Sequence, residues 1–345
     1  MEEWSGLFEA EVLPRMDPTS RAVLAQVNRA GRDAVRLPTD LACAPAGRTV
    51  GVPLKLVDFV VSARRLAWAK SNGCPWEART CATAARDGNL EALQWARGHG
   101  CPWAADTCWI AAFGGHLDVM EWLIATGADV NYAADINYAS PRTDGTTLVY
   151  VAAERGHMDM LGWLIGAGAD VNTAATDSGA TPLLVAADGG HAHVAEWLLS
   201  APEVNVNLAC TDTGGTPLCF AAQNGHTDVV VLLLVAPGVD VNLASNVGAT
   251  PLYVAAQRGH TDVVDWLIAA PGVNVNMASN SGATPLFIAA QKGHLDVVDR
   301  LLAAPEVDVD RAHQDGATPL STALAHGHAE VAQTLRAAGA TEPHG

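Results

Sequence analysis

Seven of the twelve histidines in the 345-residue chain occupy one position of a repeating unit, as the second residue of a Gly-His pair. They are His116, His157, His191, His226, His260, His294 and His328. Histidines that recur in this way could bind metal ions, relay protons or stabilise a repeated turn. One histidine per packed unit would place successive rings about 10 Å apart, and no unit supplies a second nearby His or Cys ligand. The pattern therefore favours turn residues, and we expect neither a metal site nor a cofactor.

Cysteines are the other candidate metal ligands. Cys74, Cys81, Cys101 and Cys108 form two C-x6-C pairs that are 27 residues apart. Zinc sites use closer spacings such as C-x2-C, and Cys81 and Cys108 occupy a position at which later units have Leu. The spacing favours small buried side chains over a zinc cluster. An odd total of seven cysteines, after an acidic N-terminus unlike a secretory signal, predicts reduced thiols and an intracellular, cytoplasmic or nuclear, location.

Catalytic motifs are missing from the sequence. It contains no nucleophile elbow, Walker loop, His-Glu-x-x-His or kinase motif, which predicts a noncatalytic protein. Asp-x-Asn pairs such as Asp240 and Asn242 are predicted to form turns, because no acidic loop with a closing Glu follows them as a calcium site would require.

The elements that position the histidines repeat every 34 or 35 residues from His157 onward. In the unit that starts at Ala249, Thr250 is predicted to cap a helix that begins at Pro251. Gly259 should end that helix, and the apolar pairs after His260 indicate a second helix. Each unit therefore predicts a helix, a tight turn and a second helix, followed by a connector rich in Pro, Gly, Asn and Ser.

The unit "GATPLYVAAQRGHTDVVDWLIAAPGVNVN" is similar to an ankyrin repeat, whose pattern includes Thr-Pro-Leu, Ala-Ala, Gly-His and Val-Asn. The resemblance covers six units in residues 144–339, and two shorter units precede them. It implies an all-α fold, a solenoid of stacked helix-turn-helix units with short hairpin-like fingers in the later repeats and none in the 27-residue repeats. Residues 53–143 are predicted to hold a capping helix pair, the short repeats and an insertion, and residues 340–345 a tail.

The first 37 residues lie outside the repeats, and residues 38–52 read as a linker. Apolar spacing predicts two or three short helices in the first segment. Residues 4–36 are similar to an F-box, the helical segment that joins adaptor proteins to a Skp1-cullin ubiquitin ligase, although Phe8 replaces the proline of that family. The resemblance assigns ligase docking to Leu7, Phe8, Val12, Leu13, Met16 and Pro18. The alternative is a hydrophobic helical cap on the solenoid end.

Finger and first-helix positions are the predicted partner-binding surface. Their residue types vary between units while the core does not, as an extended recognition surface requires. The candidate binding residues are Asp177, Ser178, Asp188, Thr213, Gln223, Asn224, Asn246, Val247, Tyr253, Gln257, Arg258, Asn280, Ser281, Phe287, Gln291 and Lys292.

A tryptophan recurs at one point of the second helix. The aligned residues are Trp68, Trp95, Trp122, Trp163, Trp197 and Trp266, with Leu232, Arg300 and Thr334 at the same position in other units. An aromatic stripe at the repeat spacing predicts packing, with a binding ridge as the alternative, and Arg300 indicates partial exposure.

Charge is distributed unevenly in this chain of net charge -17. Residues 1–100 contain 13 Lys and Arg against 11 Asp and Glu, a balance of +2, and residues 101–345 contain 7 against 26, a balance of -19. An acidic array disfavours nucleic acid and anionic membrane and predicts a protein partner with a basic surface. The sequence thus predicts a noncatalytic protein-binding scaffold, or alternatively a substrate adaptor of a Skp1-cullin ubiquitin ligase.

Overall fold

A computed structural model describes residues 63–71, 78–102, 106–126 and 145–342. The F-box-like segment with its six candidate docking residues, the linker and the insertion before residue 144 lie outside these ranges, as does Cys74. The described residues form helices and contain no strand, apart from an isolated bridge at Thr146, which confirms the predicted all-α class. Contacts divide the chain into two units, residues 1–107 and residues 108–345.

The first unit contains three described helices, α1 (Ala63–Ser71), α2 (Ala78–Arg86) and α3 (Leu90–Gly98). Helix α3 packs against both α1 and α2. Asn89 caps α3 by accepting a hydrogen bond from the backbone N–H of Ala92 at 2.9 Å. One helix pair of the short repeats, α2 with α3, therefore packs against α1.

The second unit is a row of helix pairs. Helix α4 (Thr107–Gly114) begins at its edge and precedes α5 (Leu117–Ala125). The later pairs are α6 (Leu148–Glu154) with α7 (Met158–Gly166), α8 (Pro182–Asp188) with α9 (Ala192–Leu199), α10 (Pro217–Asn224) with α11 (Thr227–Leu234), α12 (Pro251–Arg258) with α13 (Thr261–Ala269), α14 (Pro285–Lys292) with α15 (Leu295–Ala303), and α16 (Pro319–Ala325) with α17 (Ala329–Ala337). From α6 onward each first helix packs against the first helix of the next pair, and from α9 onward the second helices do the same.

Threonine caps begin the first helices as predicted. The Thr250 hydroxyl accepts a hydrogen bond from the backbone N–H of Tyr253 at 3.2 Å, and Pro251 is the first helical residue. The equivalent bond forms at Thr147, although Leu148 replaces the proline there. The same cap recurs at Thr181, Thr216, Thr284 and Thr318. Each cap satisfies one of the N–H groups that a helix start leaves unpaired.

Small residues line the buried faces between helices. Ala255 and Ala256 of α12 are fully buried, and Val263, Val264 and Leu267 of α13 are buried as predicted. Alanine at the contact positions lets neighbouring helices approach closely, so one apolar core continues from pair to pair.

The connectors of the later repeats form short fingers. In one finger, Ser245 N–H donates to the Ala249 carbonyl at 2.9 Å and closes the turn. Successive fingers are joined by one backbone hydrogen bond each, for example from Asn246 N–H to the Thr213 carbonyl at 2.8 Å and from Asn280 N–H to the Val247 carbonyl at 3.0 Å. These are the hairpin-like fingers that the sequence predicts.

Cysteines in the described residues are buried free thiols, as the sequence predicts: Cys81, Cys101, Cys108, Cys210 and Cys219. A hydrogen bond between Cys81 and Cys101, together with burial, raises the pKa of Cys81, so this thiol stays protonated. Within the described ranges, no three His, Cys, Asp or Glu side chains are grouped as metal ligands would be.

No helix in the described ranges is long and apolar enough to cross a membrane.

Candidate functional site

Each Gly-His histidine from His157 onward ties its turn to the preceding repeat. His260 Nε2 lies 3.0 Å from the Gln223 carbonyl oxygen. A carbonyl only accepts hydrogen bonds, so Nε2 must carry the proton and donate. The equivalent bonds join His157 to Phe113, His191 to Glu154, His226 to Asp188, His294 to Gln257 and His328 to Gln291, over 2.7 to 3.1 Å. Each accepting carbonyl lies in the last turn of a first helix, where carbonyls lack helical partners. The structural interpretation of these histidines is confirmed.

The glycine of each Gly-His pair is required both by its backbone conformation and by the space around it. Gly225 has φ +75°, and a Cβ at this residue would lie 2.7 Å from Nδ1 of His260. Gly259 repeats the arrangement with φ +80° and His294 at 2.8 Å. A side chain here would be strained by the backbone and would collide with the imidazole of the next repeat. The glycine of one unit therefore forms the seat for the histidine of the next.

Asparagines tie the connectors together in a second row. Asn207 Nδ2 donates to the Gly238 carbonyl at 2.7 Å, and Asn207 Oδ1 accepts from Asp240 N–H at 2.9 Å. The predicted turn at Asp240 is confirmed, because its carboxylate accepts from Asn242 N–H at 2.9 Å. Asn172, Asn242 and Asn276 make the same pair of bonds to their next repeats. Two sets of bonds thus fix the spacing of the surface residues.

We call the side chains in the last turn of each first helix the first-helix surface. At the position of Gln257 the residue changes between repeats, and the aligned residues are Phe113, Glu154, Asp188, Gln223 and Gln291. The backbone carbonyl of every one of these residues accepts the histidine bond described above. Side chains therefore vary where the backbone is held constant.

Exposure of the sixteen predicted binding residues divides them into three groups. Asp177, Asp188, Thr213, Asn224, Asn246, Val247, Arg258, Asn280, Ser281 and Lys292 are exposed. Ser178, Gln223, Tyr253, Gln257 and Gln291 are half-buried. Phe287 is buried.

The exposure expected for Phe287 is wrong. Its side chain is 5% exposed and stacks on the His313 ring at a centroid distance of 5.1 Å. His313 belongs to the finger that follows this helix pair. Tyr253, at the same position of the preceding repeat, is hydrogen-bonded to Ser279 of the finger that follows its own pair. Burial nonetheless raises the pKa of Tyr253. This first-helix position faces a finger, so its side chain packs there.

The finger tips contain a third set of side-chain bonds. Asn246 Nδ2 donates to the Asp212 carbonyl at 3.2 Å, and Asn280 Nδ2 donates to the Asn246 carbonyl at 2.9 Å. The carboxamides of these two predicted binding residues are therefore engaged with the preceding finger. Between them Val247 is 66% exposed, an apolar side chain at the tip.

Sequence reasoning missed an aromatic group at the start of the second unit. Trp109 stacks on Phe113 at a centroid distance of 5.2 Å and donates from Nε1 to the Thr146 hydroxyl at 2.9 Å. The Arg155 guanidinium lies 3.6 Å from the centroid of the Phe113 ring. Alignment on Gly-His would have found the group, because Trp109 occupies the same repeat position as Tyr253, and Phe113 the same position as Gln257.

Charges on the first-helix surface are balanced. Glu154 and Asp188 are acidic, and Arg258 and Lys292 of the later repeats are basic. Asn224 bridges from its Nδ2 to the Asp188 carboxylate at 2.8 Å. Glu154 also lies 3.5 Å from the Nε of the neighbouring Arg155, so its charge is partly balanced, and the basic residues of the later repeats follow along the row.

A family model of ankyrin repeats, in sets of three copies, matches the chain. It matches four overlapping segments, residues 82–175, 108–210, 203–279 and 269–343. No curated protein matched the sequence.

Proposed function

Since the chain belongs to the ankyrin repeat family, a family of protein-protein interaction domains that are typically noncatalytic, we propose that it is a noncatalytic scaffold. It binds a protein partner through its finger tips and its first-helix surface. The partner offers basic groups to Glu154 and Asp188, and apolar groups to the aromatic cluster around Trp109.

The constant backbone beneath variable side chains carries this proposal. Phe113, Glu154, Asp188 and Gln223 differ in chemistry, yet each lies on a carbonyl held by the same histidine bond. Gln223, Gln257 and Gln291 are identical, but the residues that follow them, Asn224, Arg258 and Lys292, differ in size and charge, so the surface still changes from repeat to repeat. A row of different side chains at fixed spacing is suited to an extended partner.

A capture experiment with the immobilised full chain tests the proposal. The test variant replaces Gln223, Asn224, Gln257 and Arg258 together by alanine, which preserves helix propensity. The control replaces Glu330, Gln333 and Arg336 by alanine, which are exposed on the last helix, α17. We expect proteins captured from cell extract and identified by mass spectrometry to be lost with the test variant and kept with the control. Retention of the same proteins by both variants would contradict the proposal.

A ubiquitin-ligase adaptor is the second candidate, supported by the F-box resemblance of residues 4–36. In this function the repeats capture a substrate while the N-terminal segment docks a Skp1-like subunit. Replacing Leu7, Val12 and Leu13 by alanine in the full chain should abolish recovery of Skp1 and cullin and leave the other captured proteins unchanged. If the unaltered chain recovers neither ligase subunit, the adaptor function is rejected and the scaffold remains.

A further inference from the structure

The acidic charge of the repeats is concentrated on their second helices. Among the described helices of the second unit, the first helices contain two acidic residues, Glu154 and Asp188, and two basic ones, Arg258 and Lys292. The second helices contain ten acidic residues against Arg300 and Arg336, namely Asp118, Glu121, Asp159, Glu196, Asp228, Asp262, Asp265, Asp296, Asp299 and Glu330. A basic partner would therefore find the stronger negative potential away from the first-helix surface.

Helix stability explains only part of this charge. Asp262 and its equivalents lie in the first helical turn, where a carboxylate interacts favourably with the helix dipole. Four others lie in the middle of their helices, and each directly precedes the tryptophan-equivalent position: Glu121, Glu196, Asp265 and Asp299. The dipole gives no reason for a carboxylate there, and an acidic side chain beside an indole is a suitable site for a cation.

The aromatic ridge on these helices is partly open to solvent. Trp266 is 49% exposed, while Trp163 and Trp197 at the equivalent positions are half-buried. Val235, at the end of α11, is 77% exposed. We call the outward side chains of α5, α7, α9, α11, α13 and α15 the second-helix face. It combines exposed aromatic and apolar side chains with carboxylates.

Arg300 shows how a guanidinium fits this face. It occupies the tryptophan position of α15, and its Nε lies 3.5 Å from the Asp265 carboxylate of the preceding repeat. Asp265 itself precedes Trp266. An arginine placed on this face by the chain itself thus finds a carboxylate within ion-pair distance, although both side chains are about half exposed and the pair adds little stability.

We propose that the second-helix face is a second docking surface, which binds an arginine-rich polypeptide segment. Guanidinium groups of the partner pair with Glu196 and Asp265 and stack on Trp197 and Trp266. Arginine suits this face better than lysine because its planar, weakly hydrated head group both pairs with carboxylates and stacks on rings. The proposal is separate from binding by the first-helix surface, since it uses the other helix of each pair.

Fluorescence anisotropy of a fluorescein-labelled nine-arginine peptide with the full chain provides the test. The test variant carries Glu196→Gln and Asp265→Asn, and the control variant carries Glu203→Gln and Glu306→Gln at exposed connector positions outside both proposed surfaces, with the same change in net charge. At moderate salt we expect Kd to rise about fivefold or more in the test variant and less than about twofold in the control. Equal effects would mean that only net charge matters and would overturn the proposal.

Trp266→Ala and a nine-lysine peptide separate stacking from charge. The alanine variant should raise Kd for the arginine peptide about threefold, and the lysine peptide should bind the unaltered chain more weakly than the arginine peptide. Equal affinity for both peptides, or no binding of the arginine peptide, would contradict the proposal. Thermal melts confirm that each variant is folded. Because the Glu196→Gln, Asp265→Asn variant leaves the first-helix surface intact, it should retain the proteins captured through that surface, so the two proposals fail independently.

Discussion

The first-helix surface and the second-helix face belong to the same repeats but are built differently. The first-helix surface is held by bonds between repeats, since its carbonyls accept from histidines and its neighbouring fingers are linked to one another. Side chains of the second-helix face take fewer such roles, and Trp266 and Val235 remain largely exposed. The comparison teaches that residue type alone does not identify a binding residue in this fold. Phe287 on a first helix packs under a finger, whereas Trp266 on a second helix contacts solvent.

The largest expected effect comes from Phe287, the aromatic residue under a finger. Phe287→Ala should lower the free energy of unfolding by about 3 kcal/mol, because it removes a buried ring that stacks on His313. Val247→Ala, at an exposed finger tip, should change it by less than about 0.5 kcal/mol. Urea unfolding monitored by circular dichroism measures both. Similar values for the two variants would mean that Phe287 belongs to the binding surface after all.

Replacing the glycine of a Gly-His pair tests how much the contact with the next histidine contributes to stability. Gly259→Ala should destabilise the chain by about 2 to 3 kcal/mol, because a Cβ meets His294 at 2.8 Å and the backbone has φ +80°. Gly272→Ala has a similar φ of +77° but open space around it, so it should cost only the backbone strain of about 1 kcal/mol. The difference between the two melts isolates the histidine contact. If the two variants melt alike, the ring of His294 moves aside freely and the seat contributes nothing.

Much of this organisation follows from the sequence, because a repeated unit constrains each position several times. Thr250 with Pro251, Gly259 with His260, and the buried Val263 occupy the positions that the repeat predicts. The partner of each histidine could not be predicted, since the Gln223 carbonyl is 37 residues away and belongs to another repeat. Contacts between repeats depend on stacking geometry, which the pattern of one repeat does not contain.

The candidate surface was harder to predict for the same reason. Phe287 and Gln257 are both placed one or two turns into a first helix, but only the first is covered by a finger. Asn246 and Asn280 are exposed residues whose carboxamides bond to the preceding finger. A net charge taken over whole regions of the sequence hides the concentration of carboxylates on one helix of each pair.

The asparagine row gives a smaller expected effect. Asn242→Asp should lower the free energy of unfolding by about 1 kcal/mol, because a carboxylate cannot donate to the Gly272 carbonyl that Asn242 Nδ2 reaches at 2.8 Å. Asn274→Asp adds the same charge at a side chain that accepts from Asn276 N–H, so it should be nearly neutral. Chemical unfolding of both variants provides the comparison. An equal decrease in the free energy of unfolding of both variants would show that the added negative charge, and not the lost hydrogen-bond donor, causes the effect.

Trp266→Ala on the second-helix face separates an effect on stability from an effect on binding. The indole is 49% exposed, so truncation should cost less than about 1.5 kcal/mol, well below Phe287→Ala, even though the side chain removed is larger. The same variant should nonetheless weaken binding of the arginine peptide, while Phe287→Ala, in the molecules that remain folded, should leave that binding unchanged. Replacing one aromatic residue would then reduce stability, and replacing another in a neighbouring repeat would reduce binding. A stability loss at Trp266 as large as that at Phe287 would show that the ridge is part of the packing, and the two surfaces would no longer differ in the way their exposure indicates.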